Sequence, residues 1–425
     1  MPKKINNLTV IILAAGEGKR MKSALPKVMH PVCARPMLGY VLDLVKQLKP
    51  KKTITVVGHG RRQVEEFLRG ASTLVARQKK LLGTADAVKQ ALTRLRGLRG
   101  TLLVLYGDTP LLKAETAGKL IDAHAKARAD ITLLTARMDK PTGYGRVLRD
   151  KYGSICGIAE EKDADDFQKE TKEINTGIMC FDARSLKDAL KLIKPSPRTK
   201  EYYLTDAISI LYRRGGTIEG VALEDAQEAM GINSRKELSA AASLMQGRIN
   251  DGLMERGVTI VHPSSAFIAY GTEIGRDTVI YPFTVIERGV KIGNRCSIGP
   301  FIHLREGTTL GNEVVAGNFL EVVRSSVGAK SFIKHFSYIG DSRLGRSVNI
   351  GAGSVTANFD GHKKGNTVIG DNAFIGSDTV LVAPVKIGAR AKTGAGCVVT
   401  RGKQVPPGST VIGIPARPLV KKHTR

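Results

Sequence analysis

The sequence predicts a two-part chain of the α/β class: an open, mostly parallel sheet flanked by helices, then a parallel β-helix. Three observations carry this. Up to about residue 230, β-branched apolar runs alternate with amphipathic helical stretches, the grammar of a parallel sheet covered on both faces. Residues 234–256 lack β signals and read as one helix. Beyond about residue 258, apolar-Gly steps recur at Ile274-Gly275, Ile292-Gly293, Leu310-Gly311, Val327-Gly328, Leu344-Gly345, Ile369-Gly370 and Ile387-Gly388. Their glycines are separated by 18, 18, 17, 17, 25 and 18 residues, and a period near 18 is three hexapeptides, one coil of a parallel β-helix.

In order along the chain, strands are expected at Thr9–Leu13, Thr53–Val57, Thr73–Ala76, Leu102–Tyr106 and Ile131–Thr135. Leu38, Val41, Leu42, Val45 and Leu48 share one helical face, as do Leu120, Ile121 and the alanines around His124. Ser234 with Glu237 three residues on forms the signature of a capping box at the start of the connecting helix. The organisation expected is residues 1–232 as one domain, 233–257 as a helical linker and 258–425 as the β-helix. The 25-residue interval holds a polar insertion, Asn358-Phe359-Asp360-Gly361-His362-Lys363-Lys364-Gly365-Asn366. Insertions in solenoids project from one face and often carry function.

Composition narrows the partners. The formal net charge is +27, but the excess is diffuse, with 44 basic against 28 acidic side chains up to Asp251 and 22 against 11 beyond it. That spread suits steering of small anionic substrates better than a nucleic-acid surface. No apolar run approaches the ~18 residues of a membrane span. Lys3 and Lys4 precede only a short apolar run, which reads as the first strand. Cys33, Cys156, Cys180, Cys296 and Cys397 are far apart, as free thiols in a reducing, cytoplasmic setting would be.

The chemistry begins at residues 13–27, LAAGEGKRMKSALPK. An apolar strand runs into Gly16-Glu17-Gly18-Lys19-Arg20. Such a loop can aim backbone N–H groups at phosphates, with Lys19, Arg20 and Lys27 adding charge. The spacing is neither Gly-x-x-x-x-Gly-Lys-Ser/Thr nor Gly-x-Gly-x-x-Gly. It looks like the signature loop of sugar-nucleotide nucleotidyltransferases. Gly107-Asp108 also falls at a strand's carboxyl end, where open sheets bind ligands. Taken alone, Asp108 could equally cap a turn, Glu160 could be a solvated member of an acidic stretch, and Asn175 could shape a turn. His335, on a coil of the β-helix, could be structural or a base.

The ordered set of motifs from Leu8 to about Arg401 resembles the bifunctional N-acetylglucosamine-1-phosphate uridyltransferase / glucosamine-1-phosphate acetyltransferase family. The resemblance implies a Rossmann-like nucleotidyltransferase domain followed by a left-handed parallel β-helix that forms a homotrimer. It implies synthesis of UDP-N-acetylglucosamine from UTP, acetyl-CoA and an amino-sugar 1-phosphate, with Mg2+. By the same resemblance, Leu13, Ala14, Ala15, Gly16, Lys27, Gln78, Gly83 and Thr84 bind UTP, and Arg20 and Lys27 assist catalysis. Asp108 and Asn233 hold the metal, and Gly145, Glu160, Asn175 and Asn233 form the N-acetylglucosamine-phosphate pocket. In the β-helix, His335 is the base. Arg305, Glu321, Tyr338 and Asn349 bind glucosamine phosphate, while Asn358, Phe359, Ser377 and Ala395 bind acetyl-CoA. This chain departs from the family at Lys19, where Thr is common, at Val323, where a phosphate-binding Lys is usual, and at Phe359 in place of Tyr. Arg324 follows Val323, and strand alternation would point it the opposite way. The tail from Val405 to Ala416 resembles other β-helix acyltransferases. The departures motivate an alternative: nucleotidyl transfer only, with the β-helix as a trimerisation scaffold or acting on another amino sugar.

Overall fold

Five of the strands expected in the first half occur, at Thr9–Ala14, Lys52–Val57, Leu74–Arg77, Thr101–Tyr106 and Ile131–Arg137. They are seen in a computed structural model that describes residues 7–95, 97 and 99–419. The basic ends, Lys3-Lys4 and Lys421–Arg425, lie outside the described residues. The chain divides into two compact units, Met1–Ala242 and Ser243–Arg425.

In the first unit the main sheet runs Ile218–Ala222, Ile131–Arg137, Glu173–Asp182, Thr101–Tyr106, Thr9–Ala14, Lys52–Val57, Leu74–Arg77. Thr9–Ala14 pairs in parallel with both Lys52–Val57 and Thr101–Tyr106. All six residues of Thr9–Ala14 are buried, as expected of a strand covered on both faces. One strand departs from the expectation. Glu173–Asp182 lies antiparallel between Thr101–Tyr106 and Ile131–Arg137. A hairpin of Gly145–Arg149 and Ile155–Ala159 extends from it. Helix Met37–Leu48 buries Leu38, Val41 and Val45 as expected, with Met37, Tyr40 and Leu44 beside them. Helix Ala114–Ala127 buries Leu120, Ile121 and His124, and the His124 ring is satisfied by the Thr132 hydroxyl at 3.0 Å.

The connecting helix is Arg235–Met254. The Ser234 hydroxyl accepts the Glu237 N–H at 3.3 Å, as a cap should. The other half of the expected box is redirected: the Glu237 carboxylate accepts from the Asn233 N–H at 2.6 Å.

In the second unit the repeat is realised residue by residue. Ile274, Ile292, Leu310, Val327, Leu344, Ile369 and Ile387 are register partners in one continuous parallel stack, extended by Val405. The 25-residue interval is one coil plus the polar insertion, since Leu344 still pairs directly with Ile369. This is the left-handed parallel β-helix of hexapeptide repeats. One corner of seven successive coils holds a non-glycine residue at positive φ: Asp277, Arg295, Glu313, Lys330, Ser347, Asn372 and Arg390. That conformation costs roughly 1–2 kcal/mol per residue. Each of these residues offsets the cost by donating its N–H to a carbonyl one coil below, such as Arg295 to Arg276 and Asn372 to Arg346.

The inward column is the unit's main core. Ile369 is 1% exposed within it. Ile369→Ala is therefore expected to cost about 2–5 kcal/mol, seen as a lower denaturant midpoint for the second unit. A change under about 1 kcal/mol would mean that the coils repack freely.

Candidate active sites

In the first unit, neighbouring strand ends bring together the residues expected at the phosphates. The Gly-rich loop leaves Thr9–Ala14, and Gly107 donates its N–H to the Leu13 carbonyl at 2.9 Å, setting Asp108 beside that loop. Leu13, Ala14 and Ala15 are buried, whereas Gly16 and Arg20 are exposed. Gly18 has φ +69°, and a Cβ there would lie 2.7 Å from Lys27 Cβ. Glycine is thus required for the loop to fold back over the Lys27 stem.

Lys27, Asp108 and Asn233 converge. The Lys27 ammonium pairs with the Asp108 carboxylate and donates to Asn233 Oδ1 at 2.5 Å. The side chains of Lys27 and Asp108 are only 12% and 16% exposed. Asn233 Nδ2 donates to the Gly231 carbonyl at 3.2 Å, so its carbonyl oxygen is the atom turned to the cation. A carboxylate and an amide oxygen aimed at one positive charge are the donors a hard divalent cation takes, the remaining ligands being phosphates and water. Among the described residues no cluster of three His, Cys, Asp or Glu could hold a metal.

Gln78 and Gly83, both expected at UTP, are tied to each other. The Gln78 amide nitrogen donates to the Gly83 carbonyl at 3.0 Å and to Asp86 at 2.8 Å. Both donors are spent, so Oε1 is left to accept, which suits a pyrimidine imide N–H. Gly83 has φ +107°, and a Cβ there would lie 2.6 Å from the Tyr202 carbonyl oxygen. The Thr84 hydroxyl accepts the Leu204 N–H at 2.9 Å, so Thr84 ties this segment to residues 202–204.

The expected sugar pocket is also brought together. Asn175 and Gly145 are register partners, and a Cβ on Gly145 would lie 3.4 Å from Glu160 Oε2. Asn175 is buried, and its Oδ1 accepts the Gly177 N–H at 3.0 Å. That turn breaks the register of its strand between Asn175 and Met179. Glu160 is not the solvated residue its acidic neighbours suggest. It accepts from the Thr205 hydroxyl at 2.7 Å, and burial pushes its carboxyl up, with Asp206, Asp163 and Glu201 adding to the rise. Neither Thr205 nor Tyr106 is assigned a role from the sequence, although the run Glu201–Asp206 is family-like. The Tyr106 phenol is raised by burial and by the charges of Glu160 and Asp108. Its position next to Gly107-Asp108 was the available signal.

In the second unit the expected residues fall into two groups. His335 lies in strand Phe332–Gly340, where alternation fails and Lys334, His335 and Phe336 are all exposed. The chain turns a corner there. Ile333, Ile350 and Ile375 stack in register, so two residues further along each coil His335, Ala352 and Ser377 occupy successive levels. The Ser377 carbonyl accepts the Gly396 N–H at 2.8 Å, and Ala395 continues that column. Asn349 pairs with Phe332 on the approach to the same corner.

The second group lies further along the strand. His303, Glu321 and Tyr338 are stacked partners. Arg305 donates to Glu321 at 2.8 Å. Asn358, 8% exposed, donates to Asp341 and reaches the Tyr338 hydroxyl at 3.5 Å. Val323 is buried at 3% exposure, so no cation stands at its position. Arg324 does not follow the alternation rule, because it sits at a corner with φ +46°. Both arms of its guanidinium are taken by Asp341, at 2.6 and 2.8 Å.

The polar insertion is itself folded. Asp360 accepts from the N–H groups of Lys363 and His362 and from Arg401 at 2.7 Å. These hold its carboxyl well below the usual range. Phe359 bridges to Lys364 and is 60% exposed. Lys364, whose charge acts on Asp341, is a cation at this site that sequence reasoning passed over among three adjacent basic or neutral side chains.

Residues 10–173 match the MobA-like NTP transferase domain. Residues 271–301 and 366–401 match the bacterial transferase hexapeptide, six repeats. Curated relatives described as "Bifunctional protein GlmU" align along almost the whole chain. The one from Caldanaerobacter subterraneus subsp. tengcongensis is 42% identical over 96% of this chain and 95% of its own length. That from Pelotomaculum thermopropionicum is 46% identical over 89% and 90%. The relative from Geobacillus thermodenitrificans is 44% identical over 92% of each. A transferase domain, a hexapeptide β-helix and this end-to-end identity lead to one assignment: the chain belongs to the family of bifunctional GlmU proteins.

Proposed function

We propose that residues 1–232 and 258–425, joined by the segment 233–257, divide two consecutive reactions between them. The chain makes UDP-N-acetylglucosamine: it acetylates glucosamine 1-phosphate, then transfers a uridylyl group to the product. The observation that carries the uridylyl half is the convergence of Lys27, Asp108 and Asn233 beside the Gly-rich loop. There, a phosphate oxygen of the sugar phosphate bonds to the α-phosphorus of UTP, and the bond to the pyrophosphate oxygen breaks. The Gly16–Gly18 backbone, Arg20 and Lys27 neutralise and align the triphosphate, and little covalent work remains for the protein. Asp108 and Asn233 would hold Mg2+, which when bound offsets charge developing on the phosphates. Gln78 Oε1 reads the uracil imide, and Glu160, Asn175 and Gly145 receive the N-acetylhexosamine.

In the β-helix, the sugar amine attacks the thioester carbonyl of acetyl-CoA. His335 takes the amine proton and the CoA thiolate leaves. Arg305, Glu321, Tyr338, Asn349 and Lys364 place the amino-sugar phosphate. Acetyl-CoA extends along the corner column above His335, past Ser377 and Ala395, with Asn358 and Phe359 flanking it. Loss of a cation at Val323 weakens the phosphate grip, at about 1.5–3 kcal/mol for a charged contact. The family resemblance supports a homotrimer. So do the exposed, stacked rings of Phe283, Phe301 and Phe319, with centroids 4.9 and 5.2 Å apart, which suit burial between copies. No described helix is long and apolar enough to cross a membrane, and none of the five cysteines is in a disulfide. The reading places the enzyme in the cytoplasm.

The test supplies glucosamine 1-phosphate, acetyl-CoA, UTP and Mg2+ to the full chain. UDP-N-acetylglucosamine is the expected product. Uridylylation of supplied N-acetylglucosamine 1-phosphate with no acetylation at high enzyme concentration would instead leave the β-helix as a scaffold, the reading that Val323 and Phe359 favour.

A further inference from the structure

Lys27 occupies the point at which the two candidate metal ligands aim. Its ammonium is paired with Asp108 and lies 2.5 Å from Asn233 Oδ1. The Asn233 amide is held in that orientation by the Gly231 carbonyl, and its own N–H is fixed by Glu237. The side chains of Lys27 and Asp108 are largely shielded from water. A divalent cation and an ammonium cannot share two oxygens at this separation, because their repulsion in a shielded site is large. We infer that the Lys27 ammonium is a built-in, displaceable stand-in for the divalent cation, and that the arriving triphosphate is what clears it.

Lys27 begins the short turn Lys27–Met29 and carries its charge on a flexible four-carbon stem. That stem lets the ammonium move from Asp108 to a phosphate oxygen without moving the backbone. A metal ion arriving alone must strip Asp108 and Asn233 of their partner and leave Lys27 with none. A nucleotide changes both sides of the exchange: its phosphates accept Lys27 and add oxygen ligands for the metal. Metal and nucleotide therefore load with positive coupling, which by linkage is reciprocal. The free enzyme stays closed to stray divalent ions. This rests on Asp108 and Asn233 being the metal pair.

Mn2+ binding to the nucleotide-free full chain, followed by electron paramagnetic resonance, tests it. Lys27→Met is expected to bind Mn2+ roughly tenfold more tightly than the parent, within the usual range of such couplings. Lys27→Arg, which keeps a cation in place, is expected to behave like the parent. The gain in Lys27→Met should vanish when Asp108→Asn is added. A second readout needs no variant: acetic anhydride labelling of the parent, read by mass spectrometry, should modify Lys27 several-fold faster once Mn2+ is added. Equal Mn2+ affinity in the parent and Lys27→Met, or Mn2+ binding with unchanged Lys27 labelling, overturns the stand-in. Tight Mn2+ binding that survives Asp108→Asn in the presence of UTP overturns the metal pair itself, a separate failure.

Discussion

Asp108→Asn is expected to lower uridylyl transfer about a thousandfold while leaving acetyl transfer at the parent rate. The substitution keeps the shape of the side chain and removes its charge. Two things then change at one point. The Lys27 ammonium loses its carboxylate partner, and a divalent cation held as proposed would lose the anionic one of its two protein ligands. Metal neutralisation of phosphoryl charge is worth several kcal/mol, and each ~1.4 kcal/mol is a factor of ten in rate. The fold should survive, because the backbone link from the Ile232 N–H to the Asp108 carbonyl, 3.0 Å, does not involve the side chain. The measurement is the initial rate of pyrophosphate release from UTP and N-acetylglucosamine 1-phosphate, beside thiol release from acetyl-CoA. Residual uridylyl activity within tenfold of the parent would remove Asp108 from the metal site. Equal loss of both activities would point to unfolding rather than chemistry.

Asp108 illustrates what the sequence makes legible and what it hides. Strand-end position, Gly-rich loops and an 18-residue repeat are local or periodic signals, and they place Thr9–Ala14, its neighbours and every coil from Ile274 to Ile387. The eighth coil escapes the pattern because Val405 is followed by Pro406 rather than Gly. Glu173–Asp182 escapes for a different reason. Its turn at Asn175 and Gly177 breaks the strand's register, so no continuous β period exists to be read. Asn175, the last residue before that break, pairs with Gly145. The meeting of Lys27 with Asn233 spans 206 residues, and no spacing rule reaches that far. Only the family resemblance pointed to it.

Arg324 shows the reverse error, a sound local rule applied where its premise fails. Side chains alternate along a strand, yet the coil turns between Val323 and Arg324, and positive φ at a corner cancels the alternation. The conclusion that Arg324 does not replace a cation at Val323 still holds, on different grounds: its guanidinium is bound by Asp341. Glu160 taught a related lesson. Its acidic neighbours made solvation the obvious expectation, but desolvation in a half-buried position raises its carboxyl, against the lowering effect of the Thr205 hydrogen bond.

His335→Ala is expected to lower acetyl transfer by about 10²–10⁴-fold, the usual contribution of a positioned general base, while uridylyl transfer continues unchanged. The expectation follows from where His335 sits. A histidine on the inward face of a coil would be packed among aliphatic side chains; His335 is instead on the outer side of a corner, exposed with Lys334 and Phe336. Removing it opens no cavity, so stability should move by less than about 0.5 kcal/mol, as for most surface changes. Loss of rate without loss of stability is the signature that separates a base from a structural histidine. The residual activity carries a second signature. Without the imidazole, only sugar amine already deprotonated by the solvent can attack the thioester, so the variant's rate should keep rising with pH where the parent's has levelled. Thiol release followed across pH for both proteins, with a thermal melt of each, makes the comparison. A His335→Ala rate within tenfold of the parent, or a rate loss accompanied by an equally large loss of stability, would take His335 out of the chemistry and leave the column of Ser377 and Ala395 above it without a reaction to serve.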